Sequence, residues 1–377
     1  MGYTIGETLM NYRYGFYRRA LVGNFFIAIS NKEVLLIAIT LVYSICLLMP
    51  LLIVKNALRL KDPWWVLFGM AVVFYSPFGL AFYVKDPPAI RKELFFFFPF
   101  YWLSLYGSKK ATVTNVLIVI FIVLSSFIHE SFFFLFLPFL LAYLFLNEWI
   151  NKKWLLIHAG VGIVATFLLS LTQGNSERIA ENFMQQYVNL GFGREQFTAF
   201  DYFQKLPSSE NIASAFHHFT TVGPAVHLAF YVAHFYFLYV LFRCFNIAVL
   251  FKNLNALLVS LGLIALMAFV LCFIAMDYGR WFSMAYSTSL ILCITQVKSI
   301  EFGIDHKSIA LRRVVCILMI GAILLIRIPH FTAVRFNSSE WILVFRLFIK
   351  DGFIMAVIVV GLGALLEYLK VKPKAIG

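Results

Sequence analysis

From Val34 to Val54 the chain carries no Asp, Glu, Lys or Arg, and that one property restricts its fold more than any other. A helix rises 1.5 Å per residue, so about 20 apolar residues cross a hydrocarbon core of roughly 30 Å. Further uncharged stretches follow, among them 111–128 and 254–276. Across the chain 62% of residues are apolar, 13% are charged and the mean hydropathy is +0.86. Such a composition excludes a water-soluble domain. Lipid satisfies no backbone hydrogen bond, so the sequence predicts an all-α polytopic membrane protein, one transmembrane domain over 1–377.

Windows of span length predict about eleven transmembrane helices, near 34–54, 64–84, 93–107, 112–128, 131–147, 154–171, 224–246, 254–276, 281–297, 311–328 and 351–369. The third is short and is expected to tilt or to enter the membrane only partway. No basic–apolar–small pattern of a cleavable signal opens the chain. The five cysteines (Cys46, Cys244, Cys272, Cys293, Cys316) lie in or at the ends of apolar spans with no CxxC or Cys/His spacing, and so read as packing residues.

Lysine sets the orientation. Lys55, Lys61, Lys109, Lys110, Lys152, Lys153, Lys252, Lys298, Lys307, Lys370, Lys372 and Lys374 share one side, in short loops and the C-terminal tail, which is therefore assigned to the cytoplasm. On that topology Arg13, Arg18, Arg19, Arg91, Arg178, Arg194, Arg280, Arg327, Arg335 and Arg346 fall on the opposite, outer side, where basic residues are normally scarce. Arginine kept there implies an anionic ligand. The net charge of +13 is explained by the bilayer and needs no nucleic acid. The N-terminal segment begins outside. It is expected either to be a re-entrant or interfacial helix or to follow a further span upstream.

A long outer loop, 172–223, carries two amphipathic helices. In the first, capped by Ser176, the side chains of Ile179, Phe183, Met184 and Tyr187 share a face. The second follows Ser208-Ser209, with Ile212, Phe216 and Phe219 on one stripe; Gly191 and Gly193 break the chain between them.

Four outer segments place charged or titratable groups at span ends. They are Tyr14-Gly15-Phe16-Tyr17-Arg18-Arg19, then Asp86-Pro87-Pro88-Ala89-Ile90-Arg91-Lys92-Glu93, then His129-Glu130 ahead of Pro138, and Asp277-Tyr278-Gly279-Arg280-Trp281. Each alone has a plain explanation: headgroup anchors, an interfacial ion pair, polar turn residues, or an i,i+3 pair closing a turn. Together they bring arginine, acid and histidine to one membrane level, where each charge costs a few kcal/mol unless paired or solvated. The guanidinium fork matches phosphate oxygens and desolvates more readily than ammonium, so Arg18, Arg19, Arg91 and Arg280 are candidate diphosphate ligands. His129, tuned by Glu130, is a candidate base for an acceptor hydroxyl, and Glu93 and Asp277 are candidates to orient arginines or to act as base. Arg178, Arg194, His217 and His218 in the long loop are secondary candidates. No DxD, HExxH, P-loop or GxGxxG before a strand is present, which leaves nucleotide-sugar donors, zinc hydrolysis and ATP without support; no metal or cofactor is expected.

The combination YGFYRRALVG, PPAIRKE, HESFFFLFLP and DYGRW in a phenylalanine-rich chain resembles the Wzy-type O-antigen and capsular polysaccharide polymerases and related glycosyltransferase-C-like proteins. The resemblance runs from Tyr14 to about Trp281. It implies a multi-pass protein of the bacterial inner membrane whose site faces the periplasm. There an undecaprenyl-diphosphate-linked glycan is transferred, with inversion and without metal, onto a new lipid-linked repeat unit, alongside a chain-length regulator. Carried over, it gives Arg18, Arg19, Arg91 and Arg280 the diphosphate and His129, Glu130, Glu93 and Asp277 the base and orienting roles. Polymerases of this kind also use arginines and a histidine of a large periplasmic loop, so loop and turn clusters stay open. Two other readings remain: a glycosyltransferase with a polyprenyl-monophosphate sugar donor, whose outer-loop acid would be Asp86 or Glu93, and a flippase for lipid-linked oligosaccharide.

Overall fold

Among the described residues, asparagine opens each of three long apolar helices. The computed structural model describes residues 2–13, 20–58, 90–106, 112–171, 177–194, 213–217, 219, 253–274 and 277–296. Among these, α2 (Lys32–Leu58), α7 (Lys152–Leu171) and α9 (Leu254–Leu271) are long and apolar enough to cross a membrane. The Asn31, Asn151 and Asn253 side-chain oxygens accept from the backbone N–H three residues on, at 3.0, 3.0 and 3.1 Å. Each thereby satisfies a donor that the first turn leaves without a partner.

The other described helices are α1 (Gly2–Leu9), α3 (Phe97–Tyr106), α4 (Thr112–Ile128), α5 (Phe132–Leu135), α6 (Leu137–Leu146), α8 (Glu177–Val188) and α10 (Tyr278–Gln296), with 3-10 turns at Val22–Phe25 and Lys92–Phe96. Residues 213–217 are also helical, and no strand occurs among the described residues. The spans expected at 64–84, 224–246, 311–328 and 351–369 lie outside them.

Outward faces are apolar. On α2, Val34, Ile37, Leu41, Ile45 and Leu48 are exposed in a helical stripe, while Leu35, Ile39, Cys46, Met49 and Ile53 turn inward. Exposed Val116, Ile120 and Leu124 on α4 and Leu258, Val259 and Leu266 on α9 repeat the pattern. Continuous apolar faces of this extent would aggregate in water and suit contact with lipid. Cys46, Cys272 and Cys293 are free thiols packed inside.

Two apolar windows do not form single long helices. The segment 93–107 becomes the 3-10 turn and the ten-residue α3, whose length of about 15 Å covers half a bilayer. The run 131–147 breaks at Phe136 into α5 and α6 because Pro138, in the first turn of α6, has no N–H to continue the ladder. The broken segment still packs tightly. Phe136 makes ring contacts with Phe96, Phe97, Phe100, Phe121, Phe132 and Phe139 at 5.1–6.2 Å between centroids.

Helix α10 packs against α2, α6 and α9 and is buried continuously from Tyr278 to Cys293. Its polar residues Arg280, Ser283, Ser287, Thr288 and Ser289 keep it below the hydropathy of a lipid-facing span. Thr288 donates to the backbone carbonyls of Met284 and Ala285 at 2.9 and 3.1 Å, so a hydroxyl needs no partner outside its own helix. Small residues on this helix allow close approach of its neighbours. The helix end at His129, the turn at Lys92–Phe96 and the helix start at Asp277–Tyr278 thus meet at one place in the bundle.

Candidate functional site

Helix α1 enters the bundle at that place and does not lie across its surface: Leu9, Met10, Thr8 and Asn11 are fully buried. Thr8 and Tyr43 hydroxyls hydrogen-bond at 2.7 Å, tying α1 to α2. Tyr187 of α8 donates to the Leu9 carbonyl at 2.9 Å and accepts from Asn11 Nδ2 at 3.1 Å. Gly23, the glycine ending YGFYRRALVG, passes so close to Met10 that a Cβ there would fall 1.8 Å from the Met10 carbonyl oxygen. Only glycine fits this crossing. Burial pushes the Tyr12 phenol above its ordinary pKa, so it stays neutral at working pH. The described part of the N-terminal segment is therefore a short helix inserted into the bundle.

This insertion delivers Glu7, 1% exposed, to the middle of a charged cluster. Glu7 Oε2 lies 3.5 Å from Arg91 Nε, and its Oε1 lies 3.6 Å from His129 Nε2. Glu93 Oε1 approaches the same Nε2 at 3.6 Å and Arg280 at 3.4 Å. Arg280 also pairs with Asp277 one turn earlier and lies 4.3 Å from the Trp281 ring centre, a cation–π contact that fixes its plane. Arg91, Glu93, His129 and Arg280 are all buried, and Lys92 between them in sequence is fully so. Charges this deep persist only in mutual compensation.

Local structure explains each position. His129 ends α4, its N–H donating to the Ser125 carbonyl at 3.1 Å, and the turn closes when Phe132 N–H donates to the His129 carbonyl at 3.0 Å. Arg91 is extended at φ −142°, which turns the chain into the 3-10 segment carrying Lys92 and Glu93. Arg280 and Trp281 N–H groups both donate to the Asp277 carbonyl at 3.1 Å, starting α10.

His129 Nδ1 accepts the Ser131 backbone N–H at 3.1 Å. The imidazole proton therefore sits on Nε2, directed at two carboxylates. Glu130 Oε2 is 3.8 Å from Nδ1 and its side chain is 32% exposed. Glu7 and Glu93 face the ring from its Nε2 side, each at 3.6 Å, an ion-pair distance longer than a hydrogen bond.

The structure thus brings Arg91, Glu93, His129, Glu130, Asp277 and Arg280 together. Glu7 joins them without having been singled out in the sequence, where the one signal available was an acid in an otherwise uncharged opening segment. Arg18, Arg19, Asp86 and His218 lie outside the described residues, as does the side chain of Arg178. Arg194 is exposed and pairs with Glu181 at 3.4 Å away from the cluster, and His217 is exposed on the helical segment 213–217. On α8, Phe183, Met184 and Tyr187 are buried as their shared face requires; Phe216 is exposed but stacks on Phe273, and Phe219 packs on Phe269 and Phe273.

Chemically, the cluster offers fixed guanidinium groups for an anion and two carboxylates able to take a proton. Among the described residues no group of three or more His, Cys, Asp or Glu is arranged to hold a metal ion. Comparisons of this chain with protein-family models, with curated proteins and with solved structures returned no match.

Proposed function

We propose that the protein polymerises undecaprenyl-diphosphate-linked oligosaccharide repeat units at the periplasmic face of the inner membrane, as a metal-independent inverting glycosyltransferase of O-antigen or capsule synthesis. One observation carries the reading: two buried carboxylates converge on a single histidine, and each also faces a buried arginine, beside helices with apolar outward faces. A polyprenyl tail would stay in lipid while its diphosphate enters the cluster.

In this reading Arg91 and Arg280 hold the diphosphate of the donor. The acceptor hydroxyl loses its proton to Glu93, and its oxygen bonds to the anomeric carbon from the face opposite the leaving group. The bond from that carbon to the diphosphate oxygen breaks, and its electron pair remains on the diphosphate. Arginines already fixed in place stabilise that charge as it develops, without reorganisation. His129 sets its Nε2 edge between the two carboxylates, since its Nδ1 lone pair is engaged by Ser131. Arg91→Lys and Arg280→Lys each keep the charge and lose the fork, and are expected to abolish long-chain polymer in cells. Long-chain polymer persisting in either variant, with the protein present in the membrane, would overturn the assignment.

A second reading draws support from Glu7 and Glu93: a glycosyltransferase using a polyprenyl-monophosphate sugar also needs a buried acid at the outer face. Supplying purified protein with each donor separates them, by which one lengthens the glycan.

A further inference from the structure

The arginine best placed for phosphate is already occupied. Arg91 is 6% exposed, and its Nε faces Glu7 Oε2 at 3.5 Å. A charge-assisted hydrogen bond is shorter, about 2.7–2.9 Å, so the pair is an ion pair held loosely inside the protein. A buried guanidinium requires a counter-ion, and before any ligand arrives Glu7 provides one. The other Glu7 oxygen lies against His129 Nε2, where Glu93 also reaches. Glu7 thus stands between two tasks: neutralising Arg91, and joining Glu93 at the imidazole N–H.

We infer that Glu7 is an internal competitor for the phosphate position on Arg91, displaced from that guanidinium when a lipid-linked diphosphate binds and then held at His129 alone, beside Glu93, as a second acid of the site. The inference rests on the diphosphate reading above. A diphosphate carries more negative charge than one carboxylate and presents more oxygens to the guanidinium fork, so it wins the exchange. Released from Arg91, the Glu7 carboxylate keeps His129 Nε2 as its neighbour. Binding of the lipid-linked substrate in this way frees Glu7 from its arginine, and an empty site is held with Arg91 facing a counter-ion. A purely structural Glu7–Arg91 pair would behave differently: removing Glu7 would loosen the fold and leave anion affinity unchanged or lower.

The test uses the full chain in lipid nanodiscs with inorganic pyrophosphate as probe, read by titration calorimetry, and glycan elongation measured in parallel. Glu7→Gln keeps size and removes the competing charge. It is expected to bind pyrophosphate about tenfold more tightly than the parent chain while elongating more slowly. Adding Arg91→Gln to Glu7→Gln should erase the gain. If Glu7→Gln does not fold, Glu7→Asp, which retreats from Arg91 by one methylene, should show a smaller gain of the same sign. Unchanged or weaker binding in the Glu7 variants, or a gain that survives loss of Arg91, overturns the inference and leaves the diphosphate reading standing. No binding by the parent chain or by any Glu7 variant overturns both.

Discussion

The carboxylates of Glu7 and Glu93 meet at one ring atom: each places an Oε1 atom 3.6 Å from Nε2 of His129. They reach it from separate segments, one on an eight-residue helix and the other on a 3-10 turn. In the proposed mechanism the histidine organises the two acids. That relationship makes the roles of the three side chains separable by experiment.

If Glu93 takes the acceptor proton and His129 donates Nε2–H, the two positions respond differently to amide replacement. Glu93→Gln should lower elongation by about 10²–10⁴-fold, the usual contribution of a positioned base. His129→Gln, which still presents an N–H donor at the same reach, should keep activity within about tenfold of the parent, against the larger loss expected for a base. Turnover measured with a lipid-linked repeat unit distinguishes them, and equal losses would restore His129 as the base.

Phe136 sits at the helix break with six aromatic neighbours, so its removal leaves a void that Pro138 prevents the backbone from closing. Phe136→Ala should destabilise the protein by about 3–5 kcal/mol. Thermal unfolding in detergent checks this, with Phe136→Leu expected to lose less.

Tyr187→Phe removes a hydroxyl that bonds Leu9 and Asn11. The expected loss is about 1–3 kcal/mol, because it orphans buried polar groups. It should be local: amide hydrogen exchange should accelerate at Leu9–Asn11 before it does in α2. Uniform acceleration along the chain would mean that α8 does not hold α1.

Orientation is open to direct labelling. Cys46, Cys272 and Cys293 are buried, and with Cys244 and Cys316 replaced by serine a cysteine introduced at exposed Arg194 is followed above that background. Arg194→Cys should react with a membrane-impermeant maleimide applied from the periplasm, and Asn151→Cys should react only after the membrane is opened. The reverse pattern would place the charged cluster at the cytoplasmic face.

The helices α2, α4, α7 and α9 were legible because lipid demands length and apolarity in one continuous stretch, and a charge-free run of about 20 residues has few other uses. The arginine, acid and histidine positions at span ends were legible for a related reason, since charge at the membrane level is expensive without purpose. Glu7 was not. A helix as short as α1 is too brief to reveal an amphipathic period, and an acid near a terminus reads as solvated. The break at Phe136 was hidden because four of its aromatic partners, Phe96, Phe97, Phe100 and Phe121, lie in other segments, and composition registers only an apolar run. The interior place of α10 was equally hidden: a helix carrying serines, and threonines that bond back to carbonyls of the same helix, looks like a weak span until the neighbours covering it are known. The tautomer of His129 depends on one backbone N–H, Ser131, and no residue type announces it.

The most direct measurement gives the purified chain an undecaprenyl-diphosphate-linked repeat unit in nanodiscs, with a chelator present, and resolves the product by length. The account predicts a ladder of elongated glycan from the parent chain that persists in the chelator and is absent from Arg280→Lys. Elongation by Arg280→Lys at the parent's level, or none by the folded parent chain with this donor, would contradict it.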